Sequence, residues 1–185
     1  RQYASGYVVI CFKVFFLMTV EDLNTPKWQV FRVKRFREKE LARQLSALGY
    51  EVFLPLVSKP YKIKGKLVER RFPLISGYVF VLIPPAAIEV LRYTPGILCP
   101  LVFDNKPVSI TPSDIRLMEI ACSHGGSEVE VVEWGNTTGK LVQIKSGPFA
   151  GYEGLQPDGM PAPHCYVSLG IPGTCLRILI RNKNH

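Results

Sequence analysis

Apolar and polar positions alternate along Trp28-Gln29-Val30-Phe31-Arg32-Val33, the period of a half-buried strand. Within Arg37–Leu48 the period lengthens: Leu41, Leu45 and Leu48 fall at i, i+4 and i+7, one apolar face of a helix. Gly49 stands where a C-cap is needed, and the charges on the other face are expected to be solvated. Tyr50–Pro55 reads as a second strand. Lys59–Arg71 is basic and centred on Gly65, which predicts a projecting hairpin. Gly77–Leu82 carries no charge and predicts a strand covered on most of both faces. On it Val79 and Val81 share the face expected in the core, and Tyr78 and Phe80 share the other. Pro84-Pro85 opens a short helix with Ile88 and Leu91 facing inward. Ile97–Phe103 and Val108–Ile110 are extended. Thr111-Pro112-Ser113-Asp114 supplies a cap, a proline at N1 and an acid at N3 for a helix carrying Ile115, Met118 and Cys122.

The pattern changes after Cys122. Residues 123–134 are polar and acidic, with Glu128, Glu130 and Glu133, as an exposed linker should be. Gly139–Lys145, Tyr166–Ile171 and Leu176–Ile180 read as short strands joined by tight turns, which predicts a small β-barrel. The expected organisation is an N-terminal extension over 1–26, a first domain over 27–122, a linker over 123–134 and a second domain over 135–181. Tyr7–Leu17 is apolar apart from Lys13 but shorter than the roughly 20 residues that span a bilayer. Met18 is read as the initiator, with residues 1–17 coming from upstream sequence.

Charge locates function in the first half. The net charge is +8. Residues 18–121 hold 16 Lys and Arg against 10 Asp and Glu, whereas residues 122–185 hold five of each. Contact with a polyanion therefore falls to the first domain. The densest positive patch is the hairpin, either a phosphate contact blind to sequence or lysines that keep an edge soluble. Cys11, Cys99, Cys122, Cys165 and Cys175 are scattered, without a C-x-x-C pair, which argues against a disulfide framework or zinc site and suits a reducing cytoplasm. His124, His164 and His185 join no nucleophile-and-base set, and Asp114 and Glu119 read as helix surface. No catalytic residue, metal or cofactor is expected.

Gly139-Lys140-Leu141-Val142-Gln143-Ile144-Lys145-Ser146-Gly147-Pro148-Phe149-Ala150-Gly151-Tyr152-Glu153-Gly154 resembles a KOW motif. Ahead of it, Trp28-Gln29-Val30, Arg37-Glu38-Lys39, Phe53-Leu54-Pro55, the basic hairpin, Gly77-Tyr78-Val79-Phe80-Val81 and Thr94-Pro95-Gly96 resemble, in order, the N-terminal domain of the transcription elongation factor NusG. The resemblance spans about residues 27–181, and its ending looks most like the specialised UpxY and RfaH-type antiterminators. It departs from the family at Ile75-Ser76-Gly77-Tyr78, where Phe-Pro-Gly-Tyr is common, and in the proline-rich stretch 156–163.

The resemblance implies an α+β fold: an α/β sandwich with a mainly antiparallel sheet, then a small KOW β-barrel. It implies a cytoplasmic, monomeric transcription antitermination and elongation factor, without membrane contact and not an enzyme. Such a factor docks on the clamp helices of the largest RNA polymerase subunits and suppresses pausing and termination at specific operons such as those for polysaccharide biosynthesis. By position, Tyr78, Phe80, Leu101 and Phe103 match the polymerase-binding surface. Lys62, Lys64, Lys66, Arg70 and Arg71 would lie near upstream or non-template DNA. Gly139, Gly147, Pro148, Phe149, Gly151 and Gly154 form the KOW motif, whose domain would meet a ribosomal protein or Rho. Two rivals are a ribosome- or RNA-binding KOW protein, disfavoured by the balanced charge of the second domain, and a membrane-anchored interaction protein built on residues 7–17.

Overall fold

The computed structural model describes residues 24–124, 129–133, 138–159 and 164–179. The expected extension before residue 24, with Met18, and Met160–Pro163 of the proline-rich stretch lie outside the described residues. In chain order the elements are β1 (Lys27–Val33), α1 (Glu38–Ala47), β2 (Glu51–Phe53), β3 (Leu56–Ile63), β4 (Lys66–Pro73) and β5 (Tyr78–Ile83). A single 3₁₀ turn (Pro85–Ala87) leads to α2 (Ile88–Leu91), β6 (Ile97–Pro100), β7 (Val102–Phe103), β8 (Lys106–Pro107), β9 (Ser109–Ile110) and α3 (Pro112–His124). Five strands follow: β10 (Val129–Glu133), β11 (Gly139–Gln143), β12 (Glu153–Pro157), β13 (His164–Ser168) and β14 (Thr174–Leu179). The fold is α+β with antiparallel sheets. Internal contacts gather it into two units: the described residues up to Leu54 with Gly77–Ile110, and Pro55–Ser76 with the residues from Thr111 onward.

The first unit is built on β1. Its sheet runs β2-β5-β1-β6, and β9 also pairs with β1. Phe31, Val33, Val79, Val81 and Ile83 are buried with Leu41 and Leu45 of α1 and with Ile88, Leu91 and Ile97. Burying side chains of this size contributes about 1.5–3 kcal/mol each, before conformational entropy is set against it. Val79 and Val81 are thus core, as expected. Helix α1 ends as Gly49 predicts: Gly49 has φ 88°, its N–H donates to Ser46 O, and the Tyr50 N–H donates to Leu45 O. One charge on this helix is not on a solvated face. Glu38 is buried, and its carboxylate accepts the Gly77 N–H at 2.8 Å. A charge-assisted bond thereby fixes the turn that leads into β5.

The second unit comprises the β3–β4 hairpin, α3 and a five-stranded sheet in the order β10-β14-β13-β12-β11. Helix α3 opens with a reciprocal cap. Asp114 N–H donates to Thr111 Oγ1 at 3.2 Å, and the Asp114 carboxylate accepts Thr111 N–H at 2.8 Å. The stretch expected to be an exposed linker contributes a strand instead: Val129–Glu133 pairs with β14 throughout its length. Acidic composition hid Val129, Val131 and Val132, the β-branched, half-buried positions of this strand, and Glu130 pairs with Arg177 across the sheet.

Candidate binding surfaces

The Gly139–Gly154 segment is a built turn. Ile144 N–H donates to Tyr152 O and Gly151 N–H donates to Ile144 O, closing the loop between β11 and β12. Gly147 and Gly151 have φ near 90°, open to glycine and disfavoured for other residues. Phe149 is buried beneath the loop. Gly139 and Gly154 act differently. A Cβ on Gly139 would meet Gln156 O at 2.3 Å, and one on Gly154 would meet Cys165 Sγ at 2.2 Å. These two glycines permit close strand packing rather than a turn.

The hairpin carries its basic residues in solvent. Lys62, Lys64, Lys66, Arg70 and Arg71 are all exposed. Lys64 and Gly65 both take positive φ, 46° and 83°, as a two-residue type I′ turn requires. The register pairs Ile63 with Lys66, Tyr61 with Val68, and Lys59 with Arg70. Opposed residues and their i+2 neighbours share a face, so Lys66, Lys59 and Arg70 stand on one side with Tyr61 and Phe72. There Arg70 lies 5.2 Å from the Tyr61 ring centroid, and the Tyr61 and Phe72 rings lie 5.9 Å apart. Lys62 and Arg71 occupy the opposite side. Four of the five cations thus divide between two faces, and Lys64 sits in the turn.

The apolar residues matched to polymerase docking also divide. In the first sheet, pairing sets Phe53, Phe80 and Val30 in one row, which Leu101 extends by donating its N–H to Val30 O at 2.8 Å. Tyr78, Arg32 and Cys99 form the next row. Phe80 is wholly buried, its ring 6.0 Å from that of Phe53, which lies 6.2 Å from Trp28 on its other side. Phe80 is therefore a core residue and not itself a docking contact. A strand with β-branched and aromatic residues on both faces is covered on both faces at this point. Tyr78 and Leu101 are half-buried, and Phe103 is 63% exposed. Leu98 and Val102, next in sequence to Cys99 and Leu101, are further exposed apolar residues that alternation alone does not single out.

The thiols of Cys122, Cys165 and Cys175 are of low reactivity. Burial pushes Cys122 up to about 11, against a smaller opposing backbone hydrogen bond at Leu56. Burial likewise pushes Cys175 up to about 11 and raises Cys165. Cys99 is exposed. Among the described residues no group of three or more His, Cys, Asp or Glu side chains could hold a metal ion, and no helix is long and apolar enough to cross a membrane.

A family model described as "NusG: Transcription termination factor nusG" matches residues 26–119, about half the chain. The chain belongs to the NusG family. A curated relative, the transcription termination/antitermination protein NusG of Thermus thermophilus, is 32% identical over 128 residues, covering 62% of this chain and 70% of the relative. A solved structure described as "Domain interaction in Thermotoga maritima NusG" is 19% identical, with a TM-score of 0.48, over 84% of this chain and 94% of that one. The protein is accordingly a NusG-family transcription termination/antitermination factor. The NusG match takes in β1 to β9, the hairpin and most of α3, and so contains both the Tyr78 row and the basic hairpin.

Proposed function

We propose that this chain binds RNA polymerase through its N-terminal domain, on the clamp helices of the largest subunits, and suppresses pausing and termination. A protein that binds the closed, elongating conformation better than the paused one shifts the population toward elongation. The observation that carries this reading is the NusG match over residues 26–119, which contains every candidate docking residue. The docking contacts are Tyr78, Leu101 and Phe103, with Phe80 as the packed floor of the same sheet face. The hairpin cations are neighbours of upstream or non-template DNA. The domain boundaries proposed are 27–122 for the polymerase-binding domain and, with β10 counted in its sheet, 129–181 for the KOW domain, whose partner is a ribosomal protein or Rho. The chain acts in the cytoplasm, as a monomer, at specific operons of the polysaccharide type in the manner of UpxY and RfaH-type factors.

The test is co-purification with RNA polymerase, followed by transcription in vitro across a terminator. Tyr78→Ala with Phe103→Asp is expected to abolish co-purification and read-through while the fold survives. Retained binding would place the docking surface elsewhere, and unchanged read-through with the unmutated chain would defeat the antitermination reading.

A further inference from the structure

Tyr78 stands at a corner of the first sheet. The β2–β5 pairing ends at Phe53–Phe80, and the β1–β5 pairing ends at Arg32–Tyr78. Phe80 is therefore held by a strand on each side, whereas Tyr78 has β1 on one side and a turn behind it. That turn is Ile75-Ser76-Gly77-Tyr78, with Gly77 at φ 83° and Ser76 outside the positive region. Positive φ at the third position alone is the type II pattern. Type II and type I turns differ by rotation of the central peptide, here the one that joins Ser76 to Gly77. The N–H of that same peptide is the one that Glu38 accepts at 2.8 Å. On the far side of the residue, the Gly77 carbonyl accepts Val33 N–H at 2.9 Å.

Glu38 is 3% exposed, so its carboxylate carries a desolvation cost that a leucine at this position would not. What the carboxylate does there is hold one orientation of one peptide. The turn residues do not supply that hold themselves. Proline presets the second position of a type II turn, and the residue at that position is Ser76. We propose, on the reading of Tyr78 as a docking contact, that Glu38 is a positioning residue for polymerase docking: it acts through the Ser76–Gly77 peptide to hold Tyr78 in the geometry that the polymerase meets. Ordering a contact residue before binding removes that cost from the binding step, so the bond is read in affinity as well as in stability. Phe103 is carried by the β7–β8 hairpin, a separate two-stranded sheet, and does not depend on this peptide.

The test measures the affinity of the full chain for purified core RNA polymerase, well below the melting temperature of every variant. Glu38→Ala is expected to weaken binding by about three- to tenfold, with Glu38→Gln, which keeps an acceptor, in between. A double-mutant cycle then separates positioning from general loosening. Glu38→Ala should add little to Tyr78→Ala, because the residue it positions is already gone, and should add in full to Phe103→Ala. Ser76→Pro in the Glu38→Ala background should restore most of the affinity while the melting temperature stays low, since the buried hydrogen bond is still missing. The cycle decides the matter if Ser76→Pro does not fold. Unchanged affinity in Glu38→Ala, or full additivity with Tyr78→Ala as well as with Phe103→Ala, would overturn the positioning role and leave the docking reading standing. Tyr78→Ala without effect on affinity would overturn both.

Discussion

Gly154→Ala is a one-methyl perturbation with a consequence that the packing of the second sheet dictates. The added Cβ would stand 2.2 Å from Cys165 Sγ, 2.9 Å from Tyr166 O and 3.0 Å from Val167 Cγ2. An ordinary contact needs about 3.4 Å or more, so β12 and β13 must part by more than an ångström or the sulfur must move. Cys165 and Val167 are both buried, which leaves the sulfur little free space to enter. Overpacking of this kind costs about 1–3 kcal/mol. Because the two units need not unfold together, the reading should be local: native-state hydrogen exchange at the Val167 and Leu176 amides. Protection there should fall by about five- to a hundredfold, while the Val79 and Val81 amides keep theirs. The sulfur makes the closest clash, so Cys165→Ala should rescue part of the loss, and the double variant should be less damaged than the two single changes added together. Full protection in Gly154→Ala, or strict additivity in the cycle, would refute the argument from close strand packing.

Four further outcomes follow from other contacts. Phe80→Asp should unfold the first unit, since a carboxylate buried against Phe53 lacks a partner, whereas Phe103→Asp should leave circular dichroism and melting unchanged. Glu38→Ala should cost about 1.5–3 kcal/mol by removing the acceptor of the Gly77 N–H, seen as a lower melting temperature with Glu38→Gln intermediate. Lys64→Asn should stiffen the hairpin by placing Asn-Gly in its type I′ turn, read as slower amide exchange at Lys62 and Leu67. Among the described thiols, maleimide labelling with peptide mass mapping at pH 8 should modify Cys99 first. Cys122 and Cys175, whose thiols are held neutral by burial, should gain reactivity only as pH rises toward 11. The same shifts make the native state the better proton binder, so their contribution to stability is complete below pH 9 and is lost as pH rises through about 11.

Periodicity carried most of the fold. The helical face of Leu41 and Leu45, the Gly49 cap, the Thr111–Asp114 cap and the valines of β5 all follow from local rules, and the structure obeys them. The misses came where tertiary context overrides a local rule. Alternation says which residues share a face but not which faces are covered, so Phe80 and Tyr78 looked equivalent until packing separated them. Glu38 looked like a surface charge because its partner, the Gly77 amide, lies 39 residues away in sequence. At Val129–Glu133 the acidic composition masks three β-branched valines, and the strand forms because β14 is there to pair with it.

The two sheets differ in which strand stands inside. In the first, the earliest of the described strands, β1, pairs with β5, β6 and β9, and every strand of that sheet precedes Thr111. In the second, β14 lies between β10 and β13 although it is the last of the described strands in sequence. Synthesis delivers residues in order, and domains generally fold as units with the N-terminal one first. The first sheet can close on the ribosome while the second is still missing an inner member. Until residues 174–179 emerge, β10 and β13 have no neighbour to share, and nascent β10 is left with both its edges open. The birth order of this chain thus makes its second sheet wait on residues 174–179, long after the first sheet has all its strands.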